Sequence, residues 1–186
     1  MPQFRRHSGR TCRGTNAASG RRRVRSGTPG SHRAPGPPCP SGADPSTLPP
    51  LEIPVDFVPF AQHLDIRPIN SARPFAGGDS PEFDVWIRLL SDLDFTAQER
   101  AAVLLDALPP GLFATLTMPM AIPTIEFTAH FVPEHIAALP QPPSQWYRLR
   151  HGTVWATDTL CVDESELFDS TGRLAARARQ LRRILS

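Results

Sequence analysis

The chain has no lysine, because all twenty of its basic residues are arginine. We attribute this absence to strongly G+C-biased coding rather than to function. Long apolar runs are also missing: no stretch approaches the roughly eighteen apolar residues that a membrane-spanning helix needs, and the N-terminus lacks the apolar middle of a signal peptide. We therefore expect a soluble, cytoplasmic protein without a membrane segment.

Cysteine is scarce, and the three cysteines, Cys12, Cys39 and Cys161, include no C-x-x-C pair. This spacing predicts free thiols, with neither a disulfide framework nor a zinc site. No G-x-S-x-G motif surrounds Ser144 or Ser165, so a serine nucleophile is not expected. We predict no metal and no cofactor, since metal-ligand spacing is also absent from the histidines of the C-terminal part, His63, His130, His135 and His151.

Charge divides the chain into two unlike segments. Residues 1–50 contain nine arginines, one acidic residue, nine prolines and seven glycines, whereas residues 51–186 contain eleven arginines and seventeen acidic residues. The first segment has too few large aliphatic side chains to offset the entropy of ordering. We predict a disordered tail over residues 1–50 and a single folded domain over residues 55–186. The tail's arginines could hold phosphates, but without interleaved aromatic residues or a folded nucleic-acid module we do not predict nucleic-acid binding.

A nearly all-apolar helix lies near the middle of the sequence, in the stretch FTAQERAAVLLDAL at residues 95–108. Thr96 and Glu99 form a capping box, which predicts a helix beginning at Ala97, and the Pro-Pro-Gly at residues 109–111 ends it. The composition is typical of a helix covered on most sides. Asp106 is the exception. It either shares a solvated stripe with Glu99 or has a function.

Strands are predicted on both sides of this helix. Residues 55–69 suggest one or two segments interrupted at Pro59, and clearer patterns follow at residues 83–90, 122–132, 146–157 and 159–168. The DSTGR sequence predicts a tight hairpin turn at Gly172. Residues 174–185 are ambiguous: their propensity favours a basic amphipathic helix, whereas a strand would place on one side Leu174, Ala176, Ala178, Gln180 and Ile184.

Alternation in residues 122–132 separates two faces of a predicted strand. One face carries Ile125, Phe127, Ala129 and Phe131, and the other carries Thr124, Glu126, Thr128 and His130. The order of elements, two strands, one apolar helix and then three or four strands, indicates an α+β fold in which an antiparallel sheet curls around a single helix.

Three motifs in this order resemble the type II acyl-CoA thioesterases and related thioesterase-like proteins. They are VLLDALPP with Asp106, PTIEFTAHF with Thr124, and GRLAARARQL with Gln180, which match the family's catalytic aspartate, threonine or serine, and glutamine. The resemblance implies a hotdog fold, an antiparallel β-sheet wrapped around one central α-helix, and it makes residues 174–185 a strand. This chain departs from the family's usual pattern at Glu126 and in the QLRRIL sequence after the third motif.

The resemblance also implies a reaction, the hydrolysis of an acyl-CoA to a free fatty acid and CoA. Asp106 would be the base, and Thr124 and Gln180 would orient the water. The CoA phosphates could be held by Arg148, Arg150 and Arg177, although these would equally fit an exposed sheet face.

The family's characterised enzymes carry two hotdog repeats, and this chain resembles the second alone. We therefore expect a homo-oligomer or pairing with another hotdog domain. The alternative is a catalytically silent subunit that binds acyl-CoA or a partner hotdog chain. A reading frame whose first fifty residues are not the natural N-terminus is compatible with either interpretation.

Overall fold

The computed structural model describes residues 44–54, 56, 58–91, 94–137 and 145–185. Three 3-10 turns, at Pro45–Thr47, Pro59–His63 and Gly111–Ala114, accompany the helices and strands. In chain order these are β1 (Leu64–Pro68), β2 (Glu82–Leu89), α1 (Ala97–Leu105), β3 (Thr124–Phe131), α2 (Pro133–Ala137), β4 (Tyr147–Ala156), β5 (Leu160–Phe168) and β6 (Leu174–Arg183).

The predicted tail falls mostly outside the described residues, as do Val55 and Ser186, the two ends of the predicted domain. The last residues of the tail, from residue 44 on, are described. The carbonyl of Leu48 accepts a hydrogen bond of 2.5 Å from Arg67 on β1, so this segment lies against the sheet. No helix among the described residues is long and apolar enough to cross a membrane.

The six strands form one antiparallel sheet in the order β1-β2-β4-β5-β6-β3, so β1 and β3 are its edges. Helix α1 lies on the inner face of the sheet, where it contacts β3, β5 and β6. The centre of the core is fully buried and consists of aliphatic side chains from the helix and the strands, among them Ile87, Leu104, Leu105, Leu149 and Leu167. The predicted α+β arrangement of an antiparallel sheet around one helix is confirmed.

Helix α1 begins as its capping box predicts. The Thr96 hydroxyl accepts the Glu99 N–H at 3.2 Å, and the Glu99 carboxylate accepts the Thr96 N–H at 2.8 Å. The helix ends at Leu105, and Asp106 is its C-cap. The apolar residues of the helix are buried or half-buried, as its composition predicts, except for Val103, which is 39% exposed.

After the helix, the backbone at Gly111 packs closely against the backbones of Pro81 and Thr153. A Cβ atom at this position would lie 2.5 Å from the carbonyl oxygen of Pro81 and 2.8 Å from the hydroxyl oxygen of Thr153 on β4. A residue without a side chain is needed for this approach of two backbones.

Two details of the secondary structure differ from the predictions, and a third agrees with the family resemblance but not with propensity. The segment from Pro59 begins with a 3-10 turn, for which the fixed φ of proline is suited, and the strand starts only at Leu64. Residues 133–137 form the short helix α2, which the sequence pattern did not indicate. Residues 174–183 form a strand despite their helical propensity.

Small side chains explain why tertiary packing overrides propensity in β6. Ala176 and Ala178 are at most 4% exposed and belong to the core that α1 shares with the sheet. Alanine lets the helix approach the strand closely, and the antiparallel pairing of β6 with both β5 and β3 satisfies its backbone.

The outer face of the sheet carries cross-strand ion pairs. Arg148 binds Asp84 at 2.5 Å, Arg150 contacts Glu82 at 3.0 Å, and Glu166 on β5 contacts Arg177 at 2.9 Å. Each of these three arginines therefore lies beside a carboxylate on the outer face of the sheet. Arg177 is exposed and Arg150 half-buried, as an exposed sheet face would have them, whereas Arg148 is buried. The structure gives no separate support for these arginines as phosphate ligands.

The turn between β5 and β6 is built on Asp169, which is 3% exposed. Its carboxylate accepts the backbone N–H groups of Thr171 and Arg173, both at 2.9 Å, together with the Thr171 hydroxyl and the Arg173 guanidinium. Burial by itself would raise the pKa of Asp169, but these hydrogen bonds outweigh it and hold the pKa below its ordinary value. Gly172 takes the positive φ, 79°, that the predicted turn requires.

We expect Asp169→Ala to lower the free energy of unfolding by about 1.5–3 kcal/mol at pH 7, because the turn loses the charged acceptor of its hydrogen bonds. The native pKa lies below the unfolded value, so this contribution is complete at neutral pH. It is lost as the pH falls below about 4 and the carboxyl is protonated. Denaturant unfolding of both proteins at pH 7 and pH 3 measures the difference.

Asp158→Ala is the matched control, since Asp158 is an exposed carboxylate in the β4–β5 turn. If the two variants unfolded at the same denaturant concentration at pH 7, the role of Asp169 in the turn would be refuted.

Candidate active site

The three residues singled out in the sequence meet at one place. The side-chain amide of Gln180 on β6 donates to Oδ1 of Asp106 at 3.0 Å, and the hydroxyl of Thr124 on β3 donates to Oε1 of Gln180 at 3.1 Å. Gln180 is completely buried, whereas Asp106 and Thr124 are exposed. The site therefore has a buried centre and two accessible ends.

Asp106 owes its position to the end of α1. As the C-cap residue it has φ −99° and ψ 4°, and its carboxylate lies near the negative end of the helix, where a negative charge is disfavoured. The hydrogen bond from Gln180 compensates for part of this cost. Oδ2 of Asp106 accepts no hydrogen bond from any described residue, so one carboxylate oxygen remains able to take a proton.

Thr124 reaches the inner face through an irregularity in β3. Thr124 is paired with Arg182 and Glu126 with Leu181, so the strand contains a β-bulge between residues 124 and 126. The extra residue reverses the alternation at this point. The prediction that Thr124 shares a face with Glu126 is therefore wrong, because strict period-2 counting does not allow for a bulge.

Arg182 is a neighbour of the site that the motif comparison did not include. Its Nη1 donates to the Thr124 hydroxyl at 2.8 Å, and the side chain is buried. Alternation along β6 would have indicated it, since Arg182 is two residues after Gln180 and so lies on the same inner face. The QLRRIL sequence thus puts a buried cation next to the three matched residues.

Behind Arg182 lies a fully buried carboxylate, Asp163 on β5. Oδ2 of Asp163 is 2.7 Å from Nε of Arg182, and Oδ1 accepts the hydroxyl proton of Thr153 at 2.6 Å. Burial would raise the pKa of Asp163, but His151, Thr153 and Arg182 together hold it below its ordinary value. Asp163 is therefore the counter-ion of this buried cation.

His151 and Ser165 complete the buried polar cluster. Nδ1 of His151 is 2.8 Å from the Ser165 hydroxyl, and Nε2 is 3.6 Å from Asp163. These are the residue types of a hydrolytic triad, but all three are at most 1% exposed, so no substrate reaches them. Ser165 instead donates to the carbonyl of Leu105 at 3.3 Å, which ties the end of α1 to the sheet.

Two cavities adjoin Asp106. The larger has a volume of about 700 Å³, includes Thr124 and Arg182 in its wall, and is otherwise mostly apolar, with Leu51, Ile53, Phe75, Leu108 and Phe113. The smaller, of about 490 Å³, is lined on the other side by Phe60, Leu64, Phe95, Val103 and Phe127. Apolar cavities with a few convergent polar groups are typical of ligand sites.

Metal ligands do not cluster at this site. In the part of the chain that the structure describes, no three side chains of histidine, cysteine, aspartate or glutamate are placed to hold a metal ion. Cys161, the one cysteine in that part, is a buried free thiol on β5, and burial raises its pKa to about 11.

Solved structures with the same architecture are hotdog-fold proteins. A hotdog-fold protein of unknown function from Alicyclobacillus acidocaldarius superposes with a TM-score of 0.67 at 22% identity, covering 80% of this chain and 55% of its own. An acyl-CoA thioesterase II from Mycobacterium marinum gives a TM-score of 0.53 at 16% identity, with 79% and 55% covered. At these identities the likeness defines the fold alone, which is the predicted hotdog.

Membership of a family follows from the sequence itself. The model of the acyl-CoA thioesterase C-terminal domain matches residues 36–184, so the chain belongs to that family. The chain spans 55% of the length of both solved chains, or about half. No curated protein matches the sequence significantly.

Proposed function

We propose that this domain hydrolyses an acyl-CoA thioester to a free fatty acid and CoA. The observation that carries the proposal is the hydrogen-bonded chain from Thr124 through Gln180 to Asp106, which ends in a carboxylate oxygen that is free to accept a proton at the wall of an apolar cavity. A family match to the acyl-CoA thioesterase C-terminal domain supports the same reaction.

Asp106 takes the role of general base. A water held against its free oxygen loses a proton to the carboxylate while its oxygen attacks the thioester carbonyl. The C–S bond then breaks, and because thiols have pKa values near 8.5 the thiolate leaves without a strong acid. Gln180 is fully buried, so it fixes the carboxylate rather than the water. The Thr124 hydroxyl, exposed at the cavity, accepts a hydrogen bond from the water and so orients it.

The acyl chain would occupy the apolar space beside Asp106. The wall of the larger cavity is formed mainly by aliphatic and aromatic side chains, which favour a hydrocarbon over a charged group. Ala107 lies between the two cavities and lines both of them. A larger side chain at Ala107 would therefore narrow whichever of the two cavities holds the acyl chain of the substrate.

Asp106→Asn should lower kcat for acyl-CoA hydrolysis about 10²- to 10⁴-fold, since asparagine keeps the shape of the side chain but cannot take the proton. CoA release from short-, medium- and long-chain acyl-CoA substrates measures it. Asp158→Asn, a change of an exposed turn carboxylate, is the control and should leave kcat unchanged.

The three possible outcomes separate the hypotheses. Loss of turnover in Asp106→Asn alone identifies the base. Turnover that survives the substitution means that another group is the base. Acyl-CoA binding with no turnover in the unsubstituted protein would select the alternative function, a silent hotdog subunit.

We further propose that a second hotdog domain, either another copy of this chain or a separate chain, packs against β3 and the open side of α1. In the described residues β3 pairs with β6 alone, so its other edge is unpaired. The surface beside it is apolar: Ile125 is 56%, Phe127 36% and Val103 39% exposed. An unpaired edge next to an apolar patch is typical of a surface covered by a partner.

Ile125→Glu should shift the protein from an oligomer towards a monomer, because the new carboxylate would have to be buried unpaired in the interface. Light scattering coupled to size-exclusion chromatography gives the mass. Val154→Glu is the matched control, since Val154 is 57% exposed and lies on β4. An unsubstituted protein that is monomeric at micromolar concentration and fully active would contradict the pairing.

A further inference from the structure

A buried ion pair on the inner face of the sheet connects the core to the proposed catalytic residues. Asp163 is 0% and Arg182 6% exposed, and Nε of Arg182 lies 2.7 Å from Asp163 Oδ2. Placing two charges in a core is costly, and an aliphatic pair would fill the same space at no such cost. The pair therefore calls for an explanation other than stability.

Arg182 also reaches the exposed end of the site. Its Nη1 donates to the Thr124 hydroxyl oxygen at 2.8 Å. A guanidinium has donors and no acceptor, so the Thr124 oxygen can only accept from it. The single proton of the Thr124 hydroxyl is then directed to its other neighbour, Oε1 of Gln180, at 3.1 Å.

The orientation of the Gln180 amide follows from this. Thr124 donates to Oε1 and the Asp106 carboxylate can only accept, so both partners make the NH₂ group face Asp106, where it donates to Oδ1 at 3.0 Å. All three hydrogen bonds therefore run in one direction, from the cation towards the carboxylate. Without the guanidinium, the Thr124 hydroxyl could turn its proton away from Gln180. The amide would then lose the donor to its oxygen, and the Asp106 carboxylate would be left as the partner that orients it.

We infer that Arg182 is a positioning residue for the hydrolysis proposed above, with Asp163 as its anchor. Arg182 acts through the Thr124 hydroxyl and sets the direction of the hydrogen bonds that end on Asp106. It takes no part in bond making or breaking. The inference rests on the proposed function for its catalytic consequence, while the orientation of Gln180 can be observed without any turnover.

The test is the double variant Arg182→Met with Asp163→Asn. Removing the arginine alone would leave Asp163 as an unpaired buried charge and could unfold the domain, whereas removing both charges avoids this. The amide introduced by Asp163→Asn still offers an oxygen to the Thr153 hydroxyl. The matched control is Arg179→Met with Glu164→Gln, an ion pair of the same two strands at 3.7 Å on the outer face, where Arg179 is 63% exposed.

We expect the inner double variant, Arg182→Met with Asp163→Asn, to lower kcat about 10- to 100-fold. KM should change by no more than about twofold, since loss of positioning acts on the transition state. The outer double variant should keep both parameters. When Arg182→Met and Asp163→Asn are added to Thr124→Val, kcat should fall little below that of Thr124→Val alone, because the effect of Arg182 passes through the hydroxyl that this variant lacks. If the losses of kcat caused by the double variant and by Thr124→Val were additive, the inference would be overturned. Additivity would mean that the double variant lowers kcat by a general loss of structure and not through the Thr124 hydroxyl.

Nuclear magnetic resonance of the ¹⁵N-labelled protein gives a readout that does not depend on turnover. The Gln180 side-chain NH₂ signals are identified by their absence in Gln180→Glu. In the inner double variant we expect these signals to shift and to exchange faster with water, and in the outer one to stay in place. Unchanged Gln180 signals in the inner variant would overturn the inference, whatever happens to kcat. If the unsubstituted protein shows no turnover, hydrolysis is refuted, and the resonance result alone decides whether Arg182 positions Gln180.

Discussion

One buried amide, that of Gln180, determines how the site is held. A glutamine with no solvent contact must have partners for both its oxygen and its nitrogen, because an unsatisfied polar group in a core is costly. Those partners are Thr124 from an edge strand and Asp106 from the end of a helix. The constraint therefore acts in both directions: the strand and the helix satisfy the amide, and the amide fixes their distance from each other.

The bulge in β3 and the end of α1 allow Thr124 and Asp106 to reach Gln180 together. The bulge turns Thr124 inwards while Phe127 and Ala129 stay opposite Gln180 and Ala178 of β6. On the helix side, Ser165 holds the carbonyl of Leu105, the residue just before Asp106. Two separate local features therefore bring Thr124 and Asp106 to the same amide. One is the β-bulge in β3, and the other is the hydrogen bond from Ser165 to the end of α1.

Much of the fold could be predicted because its signals are local. The capping box at Thr96 and Glu99 and the turn at Gly172 both depend on neighbouring residues, and both occur as expected. The identity of β6 could not be obtained from propensity, since it depends on partners far away in the sequence. For the same reason the ion pair of Arg182 with Asp163 was missed: its members are adjacent only after β5 and β6 have paired.

The direction of the hydrogen bonds has a consequence for the path of the proton. An amide between Thr124 and Asp106 can orient its neighbours, but it does not readily release an N–H proton, so the chain is not a proton wire. Under the proposed hydrolysis, the proton that Asp106 takes from water must leave from its free oxygen. Asp106 lines the cavity in which the reaction would occur, and the departing thiolate is a base that could receive that proton there. Asp106 would thus return to its ionised form by releasing the proton into the cavity, through the oxygen that Gln180 does not bind.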